Sequence, residues 1–297
     1  MTLAVDRRRP FYGPRTSTAR RLLWLGWVWL VWTQALWAAD IDDLLFRGAG
    51  AHYDGRLEEA AGYFEEALSI DGANEYALNQ RALLYAKARD FAAARKLFER
   101  AAAVDGRNTF AFMWLGILDL QQGDLAQAFA TFERVIQIDP QHADAYYFLG
   151  SLCLFRRNPS KAIAYLKKAQ AADSDEADTH FRLAKAFHNA DMTANALLEY
   201  RRALDLNAHH TRAINAIGWI YYNRGQVQEA LAQWRKTLDI NERDREARSN
   251  LSKVYNDLAW QALQEGRIGA AVDLWRQTLE VDSGNKAARY YLRRHGS

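Results

Sequence analysis

The sequence predicts an all-α chain: a solenoid of seven helical hairpins closed by a C-terminal capping helix. Three observations carry this. The 297 residues include only 4 Pro and 17 Gly, too little turn chemistry for a many-stranded β fold. Small residues recur every 34 positions at Gly48, Ala82, Gly116, Gly150, Ala184 and Gly218, and a fixed period of this size marks a repeat architecture. Within each period, apolar residues fall at helical spacing in two runs separated by a polar turn, such as Tyr53-Asp54-Gly55-Arg56 or Gln121-Gln122-Gly123-Asp124. The 49% apolar composition excludes a disordered chain, and a single cysteine excludes an internal disulfide.

The first element is a leader. Residues 1–21 form an Arg-rich cytoplasmic region holding Arg7, Arg8, Arg9, Arg15, Arg20 and Arg21 against Asp6, a net of +5, which leaves −2 of the chain's +3 for residues 40–297. A nucleic-acid-binding domain should keep its basic face on the folded part, so that class is disfavoured. Residues 22–39, LLWLGWVWLVWTQALWAA, carry no charge and are followed by Asp40, Asp42 and Asp43. This stretch reads either as a signal-peptide h-region, with small residues for cleavage at Thr33, Ala35 or Ala38, or as a signal anchor. Eighteen helical residues reach about 27 Å, just enough for a span. In both readings the arginines stay inside and the rest lies in the periplasm, released or held at the inner membrane. Arg20-Arg21 ahead of the apolar run brushes the twin-arginine export pattern, so the export route stays open. No cysteine follows the run, which argues against a lipoprotein.

Six units fill residues 41–244. Besides the small column, Ala60, Ala94, Ala128, Ala162, Ala196 and Ala230 keep the step, as do the bulky Phe64, Phe98, Phe132, Leu166, Tyr200 and Trp234. Small residues let two helices of a hairpin approach, and the bulky column fills the space beside them. Each unit ends on a short polar residue suited to a turn: Asp71, Asp105, Asp139, Asp173, Asn207 and Asn241. A seventh unit, 245–285, matches the columns at Ala259, Ala271, Trp275 and Asp282, but 41 residues after its predecessor. The simplest account is a first helix longer by about two turns, roughly 246–264. Residues 286–297 form a short amphipathic helix that caps the stack.

These columns resemble the tetratricopeptide repeat family. The resemblance implies a right-handed α-solenoid whose first helices line a concave, protein-binding groove. The family's proline after the second helix stands only at Pro140, so the other connections depart from the pattern. The lysine and asparagine clamp by which some relatives grip chaperone tails is missing, because the corresponding positions include Leu45, Ala49, Gln80, Phe110 and Trp114.

Little here suggests catalysis. The seven histidines are scattered, His180 and His188 lack an HExxH pattern, and no phosphate-binding glycine loop or GxSxG appears. His209-His210 reads as a solvated turn in preference to a metal site, and Cys153 as a buried, inert thiol. No enzyme, metal or cofactor is expected.

The groove is the candidate site. In the third and fourth units its positions are Phe110, Met113, Trp114, Ile117, Leu120, Tyr147, Phe148, Leu154 and Phe155, an apolar patch where a solvated face should be polar. From the fifth unit on the face turns polar: Arg182, Lys185, His188, Asn189, Arg212, Asn215, Asn223 and Asn256 stand beside Trp219, Tyr222 and Trp260. Amides pair with an extended backbone, and the basic groups receive a carboxylate. The expected function is a scaffold or assembly factor of the cell envelope that binds an extended or helical partner segment with apolar and acidic parts. The alternative is a structural homo-oligomer that uses the aromatic patch as a self-interface.

Overall fold

The computed structural model describes residues 40–295. The leader and the apolar stretch, on which the export and anchoring expectations rest, lie outside the described residues. Among the described residues no helix is long and apolar enough to cross a membrane.

Fifteen helices and no strand occur among the described residues. They follow one another in the order α1 (40–53) and α2 (Leu57–Ile70), α3 (Glu75–Lys87) paired with α4 (Phe91–Val104), α5 (Thr109–Gln122) followed by α6 (Leu125–Ile138), and α7 (Ala143–Phe155) paired with α8 (Pro159–Ala172). Then come α9 (Ala177–Asn189) with α10 (Thr193–Leu206), α11 (Thr211–Asn223) with α12 (Val227–Ile240), α13 (Arg245–Gln264) with α14 (Ile268–Val281), and the terminal α15 (Lys286–His295). The chain divides into two compact units, one ending at Leu118 and one beginning at Asp119.

Local chemistry sets many of the boundaries. Asn74, Asp90, Asp124, Asn158 and Asp244 cap α3, α4, α6, α8 and α13 by accepting the N–H three residues on, which satisfies one of the helix's unpaired donors. Pro159 opens α8 where its missing N–H costs nothing. The polar column forms Asx turns. Asp71, Asp105, Asp139, Asp173, Asn207, Asn241 and Asp282 each accept the backbone N–H two residues on, at 2.9–3.1 Å. Six of these bonds close connections that lack the family's proline; the seventh, at Asp139, stands beside Pro140.

Between the two helices of every hairpin one residue sits at positive φ: Gly55, Arg89, Gly123, Arg157, Asp191, Gly225 and Gly266. The left-handed conformation lets the chain reverse in about three residues. A side chain there costs about 1–2 kcal/mol in three of the seven turns.

Packing explains the columns. A Cβ added to Gly150 would lie 2.5 Å from Leu166 Cγ, and one on Gly218 2.5 Å from Trp234 Nε1. The alanines of the second column are wholly buried, and so are Phe64, Phe98, Phe132, Leu166, Trp234 and Trp275. Each such side chain contributes about 1.5–3 kcal/mol through lost contact with water. The twenty-residue α13 absorbs the seven extra residues of the last hairpin. Beyond it α15 buries Ala288 and stacks Tyr291 on Trp275 at 5.0 Å, covering the end of the second unit's core.

Candidate functional site

The expected aromatic face divides between the units. In the first, on α5, Trp114 stacks on the core residue Phe98 at 5.8 Å, and Phe110, 40% exposed, tilts against the same ring. Met113 is only 7% exposed, so it belongs to the core and offers no anchor, contrary to expectation. Ile117 is half-buried.

In the second unit the first-helix surface forms two clefts. One, of about 320 Å³, is apolar: Leu120, Leu125, Phe148, Leu152, Leu154 and Phe155 line it, with Ser151, Arg182 and Lys185 at its polar side. Phe148 lies flat on Phe132 at 4.8 Å, so this wall continues into the core. Phe155, 72% exposed, stands clear of it. Tyr147 stands beside the cleft, its ring against Phe148 and its hydroxyl accepting from Arg182 Nε at 3.3 Å.

The other cleft, of about 350 Å³, is polar. Lys185, His188, Asn189, Arg212, Asn223 and Glu246 face it, over a floor of Phe181, Tyr200 and Trp219. Lys185 lines both clefts, so they adjoin. Arg212 is held by Asp178 Oδ1 at 2.7 Å and lies over the Phe181 ring at 4.9 Å. Burial pushes the Tyr200 phenol far above its ordinary range, with Glu246 adding to the shift, so it stays protonated.

Four buried polar atoms on this unit's first helices have no partner among the described residues: Ser151 Oγ, His188 Nδ1, Asn250 Nδ2 and Asn256 Oδ1. Such atoms are costly unless something pairs with them. Ser151 and His188 each line one of the clefts.

Not every expected residue joins them. Asn215 is 1% exposed and faces inward: its amide donates to Asp244 Oδ1, its Oδ1 accepts from Thr237, and its carbonyl accepts from Trp234 Nε1. It ties α11 to the neighbouring helices and cannot meet a partner, which corrects the expectation. Tyr222 and Trp219 pack on Trp234, with Lys253 over both rings. Trp260, 40% exposed, packs on Tyr291. Tyr222, Asn256 and Trp260 line neither cleft.

Two of the histidines, His210 and His180, are structural. His210 is buried, not a solvated turn: its Nδ1 accepts the Ala213 N–H, capping α11, and Nε2 donates to Asp178 at 2.9 Å. His180 is enclosed with Glu199 at 2.7 Å and bonds the Ser174 carbonyl. Burial raises the Cys153 thiol above its ordinary value, against the pull of Lys161 and Arg156, which keeps it un-ionised at neutral pH. Among the described residues no group of three His, Cys, Asp or Glu side chains is placed to hold a metal.

Tetratricopeptide repeat profiles match residues 79–143, 119–186 and 211–243, over the hairpins just described. The chain is a tetratricopeptide repeat protein. Among curated proteins none matches its sequence significantly. Among solved structures it resembles Pseudomonas aeruginosa PilF, with TM-score 0.66 and 16% identity over 73% of this chain and 99% of that one. The C-terminal part of a repeat protein from Cytophaga hutchinsonii gives TM-score 0.65 and 17% identity over 82% and 98% of the two chains. YrrB, titled a repeat protein with an unusual peptide-binding site, gives 0.53 and 20% over 62% and 95%. At these identities the likenesses establish the fold.

Sequence reasoning missed Glu246, Tyr200 and Ser151 in this tetratricopeptide surface. Glu246 enters from the next hairpin, and Tyr200 belongs to a core column whose edge reaches the cleft floor. Ser151 alone had a signal: a hydroxyl beside the small-column Gly150, on the face that carries Phe148 and Phe155.

Proposed function

We propose that this protein is a binding scaffold whose second unit engages one partner segment, with an apolar side chain seated beside Phe148 and Phe155 and a carboxylate received by Lys185 and Arg212. The observation that carries the reading is the pair of adjoining clefts sharing Lys185. Lys185 has no partner among the described residues, and Ser151 Oγ and His188 Nδ1 lie unpaired beside it. Charge decides the partner's chemistry: Arg182, Lys185 and Arg212 line these clefts against the one lining carboxylate Glu246, with Asp178 pairing Arg212 beside them. Apolar anchors supply affinity, while charged groups steer and orient the partner. The unusual peptide-binding site of YrrB supports use of this fold for a segment of chain.

The Arg-rich residues 1–21 and the uncharged residues 22–39 support placing this scaffold in the periplasm, released or anchored in the inner membrane, where it assembles an envelope complex. The test is crosslinking in cells with a photoreactive residue at Phe155 or at Asn189, followed by mass spectrometry of the adducts. One envelope protein caught at both positions is expected, through a segment containing an acidic residue. Different proteins at the two positions contradict the single-segment reading, and adducts solely with a second copy of the chain turn the site into a self-interface.

A further inference from the structure

A third cleft in the second unit lies away from the partner-binding surface, where the first two turns of α13 meet the end of α14. It encloses about 400 Å³ and is lined by Arg243, Arg245, Arg248, Ser249, Ser252 and Ser283. Against three guanidinium groups it sets one carboxylate, Asp282. That acid is already engaged: Oδ1 accepts the Gly284 N–H at 3.1 Å and Oδ2 accepts from Ser252 at 3.4 Å. The cleft's formal charge is therefore +2, in a chain whose residues 40–297 sum to −2.

The framework is fixed and its donors are free. Arg248 donates Nε to the Val281 carbonyl at 2.7 Å and Nη1 to the Glu242 carbonyl at 3.3 Å, leaving the Nη2 amino group unused. Ser252, buried, accepts from Asn285 Nδ2 at 3.0 Å, and Arg289 grips the Ser283 carbonyl, so one wall is tied to the residue preceding α15 and the other to α15 itself. Arg243 and Arg245 are exposed, and their side chains have neither an ion pair nor a hydrogen bond among the described residues. The hydroxyls of Ser249 and Ser283 add donors without adding charge, whereas that of Ser252 is given to Asp282.

The geometry points to a binding site for a phosphate dianion, the phosphate of a small phosphomonoester or of a lipid headgroup. Guanidinium forks match tetrahedral oxyanions in pairs of parallel bonds, and a phosphate group carries about −1.5 to −2 at pH 7, which matches the cleft's charge. A monocarboxylate leaves one positive charge uncompensated. The volume falls within the usual range of about 300–1,000 Å³ for small-molecule sites, so room remains beside the phosphate for the group that carries it.

The test titrates the full chain, in detergent at low salt, with inorganic phosphate and with acetate by calorimetry, and repeats both on the Arg243→Gln/Arg245→Gln double variant. Phosphate is expected to bind in preference to acetate, and the double variant to weaken it about a hundredfold, about tenfold for each fork removed. Both arginines are exposed and unbonded, so thermal unfolding of the variant stays unchanged. Flotation with phosphatidylcholine vesicles, with and without phosphatidic acid, distinguishes the sources. A phosphatidic-acid preference lost in the double variant assigns the headgroup; phosphate binding without vesicle preference assigns the soluble ester. Absence of saturable phosphate binding at millimolar concentration, or equal affinity in the wild type and the variant, overturns the site. Partner crosslinking at Phe155 is independent of it and is expected to survive the double substitution.

Discussion

The two clefts of the second unit share Lys185 but stand in different relation to the hairpins that carry them. The apolar cleft is an outcrop of the core: Phe148 lies on Phe132, Leu154 is buried, and Phe155 alone projects freely. The polar cleft is an addition to the surface. Lys185, Asn189 and Asn223 are exposed, and among its basic groups Arg212 is committed to an ion pair, with Asp178. On the proposed reading, recognition and stability are therefore coupled in the first cleft. In the second they separate.

The largest expected effect breaks this coupling on the apolar side. Phe148→Asp should destabilise the fold by about 3–5 kcal/mol, because it removes a packed aromatic ring and brings an unpaired charge against Phe132. Phe155→Asp, on the same helix, should leave urea unfolding unchanged while reducing partner capture tenfold or more. Equal unfolding midpoints for the two variants would contradict the division.

Next in size, Asn215→Ala should cost about 1–3 kcal/mol in urea unfolding, since it strands Thr237 and Asp244 without their amide. Partner capture should not change. A loss of capture with intact stability would return Asn215 to the recognition surface.

A smaller effect tests the turns. Arg157→Gly should raise stability by up to about 1 kcal/mol, because glycine takes the left-handed conformation at φ 55° without strain. The same change in a right-handed position would destabilise. A lowered melting temperature would mean that the Arg157 side chain makes a compensating contact.

The smallest concerns pH. Burial pushes the Asp178 carboxyl up, but its bonds to His210 and Arg212 outweigh this and hold it below its usual 3.8. Its depressed value means that the folded state favours the ionised form. That stability is present in full above the unfolded value and is lost as pH falls through the folded one. The difference in unfolding midpoint between wild type and Asp178→Asn should therefore be complete at neutral pH and close below about pH 3.8. A gap that persists in strong acid would mean that the substitution acts through packing.

The fold was legible because each column does one job in every hairpin. Gly150 and Gly218 admit a neighbouring side chain, the second-column alanines let the helices approach, and the terminal Asp or Asn closes an Asx turn. One side-chain requirement repeated at 34 residues leaves a trace that survives substitution of the rest. The left-handed turn position repeats just as strictly, but it left no column. It constrains backbone, and Gly, Arg and Asp all occupy it.

The site was legible only in part. Phe148, Phe155, Arg182, Lys185, Asn189, Arg212, Trp219 and Asn223 do border clefts, because first-helix positions outside the columns point away from the hairpin interior. Asn215 misled because an amide pairs as readily with Thr237 and Asp244 inside as with a peptide outside. The clefts also draw on α7, α9, α11 and α13 together, so no local spacing announces them.

In the proposed function one partner segment occupies both clefts and Lys185 joins them. The most direct measurement is the yield of crosslinks from photoreactive residues at Phe155 and at Asn189, each compared with and without Lys185→Glu. Charge reversal at the shared lysine is predicted to suppress adducts at both positions while leaving thermal unfolding unchanged. Full yield at Phe155 with loss only at Asn189 would show that the clefts bind independently and would contradict a single shared segment.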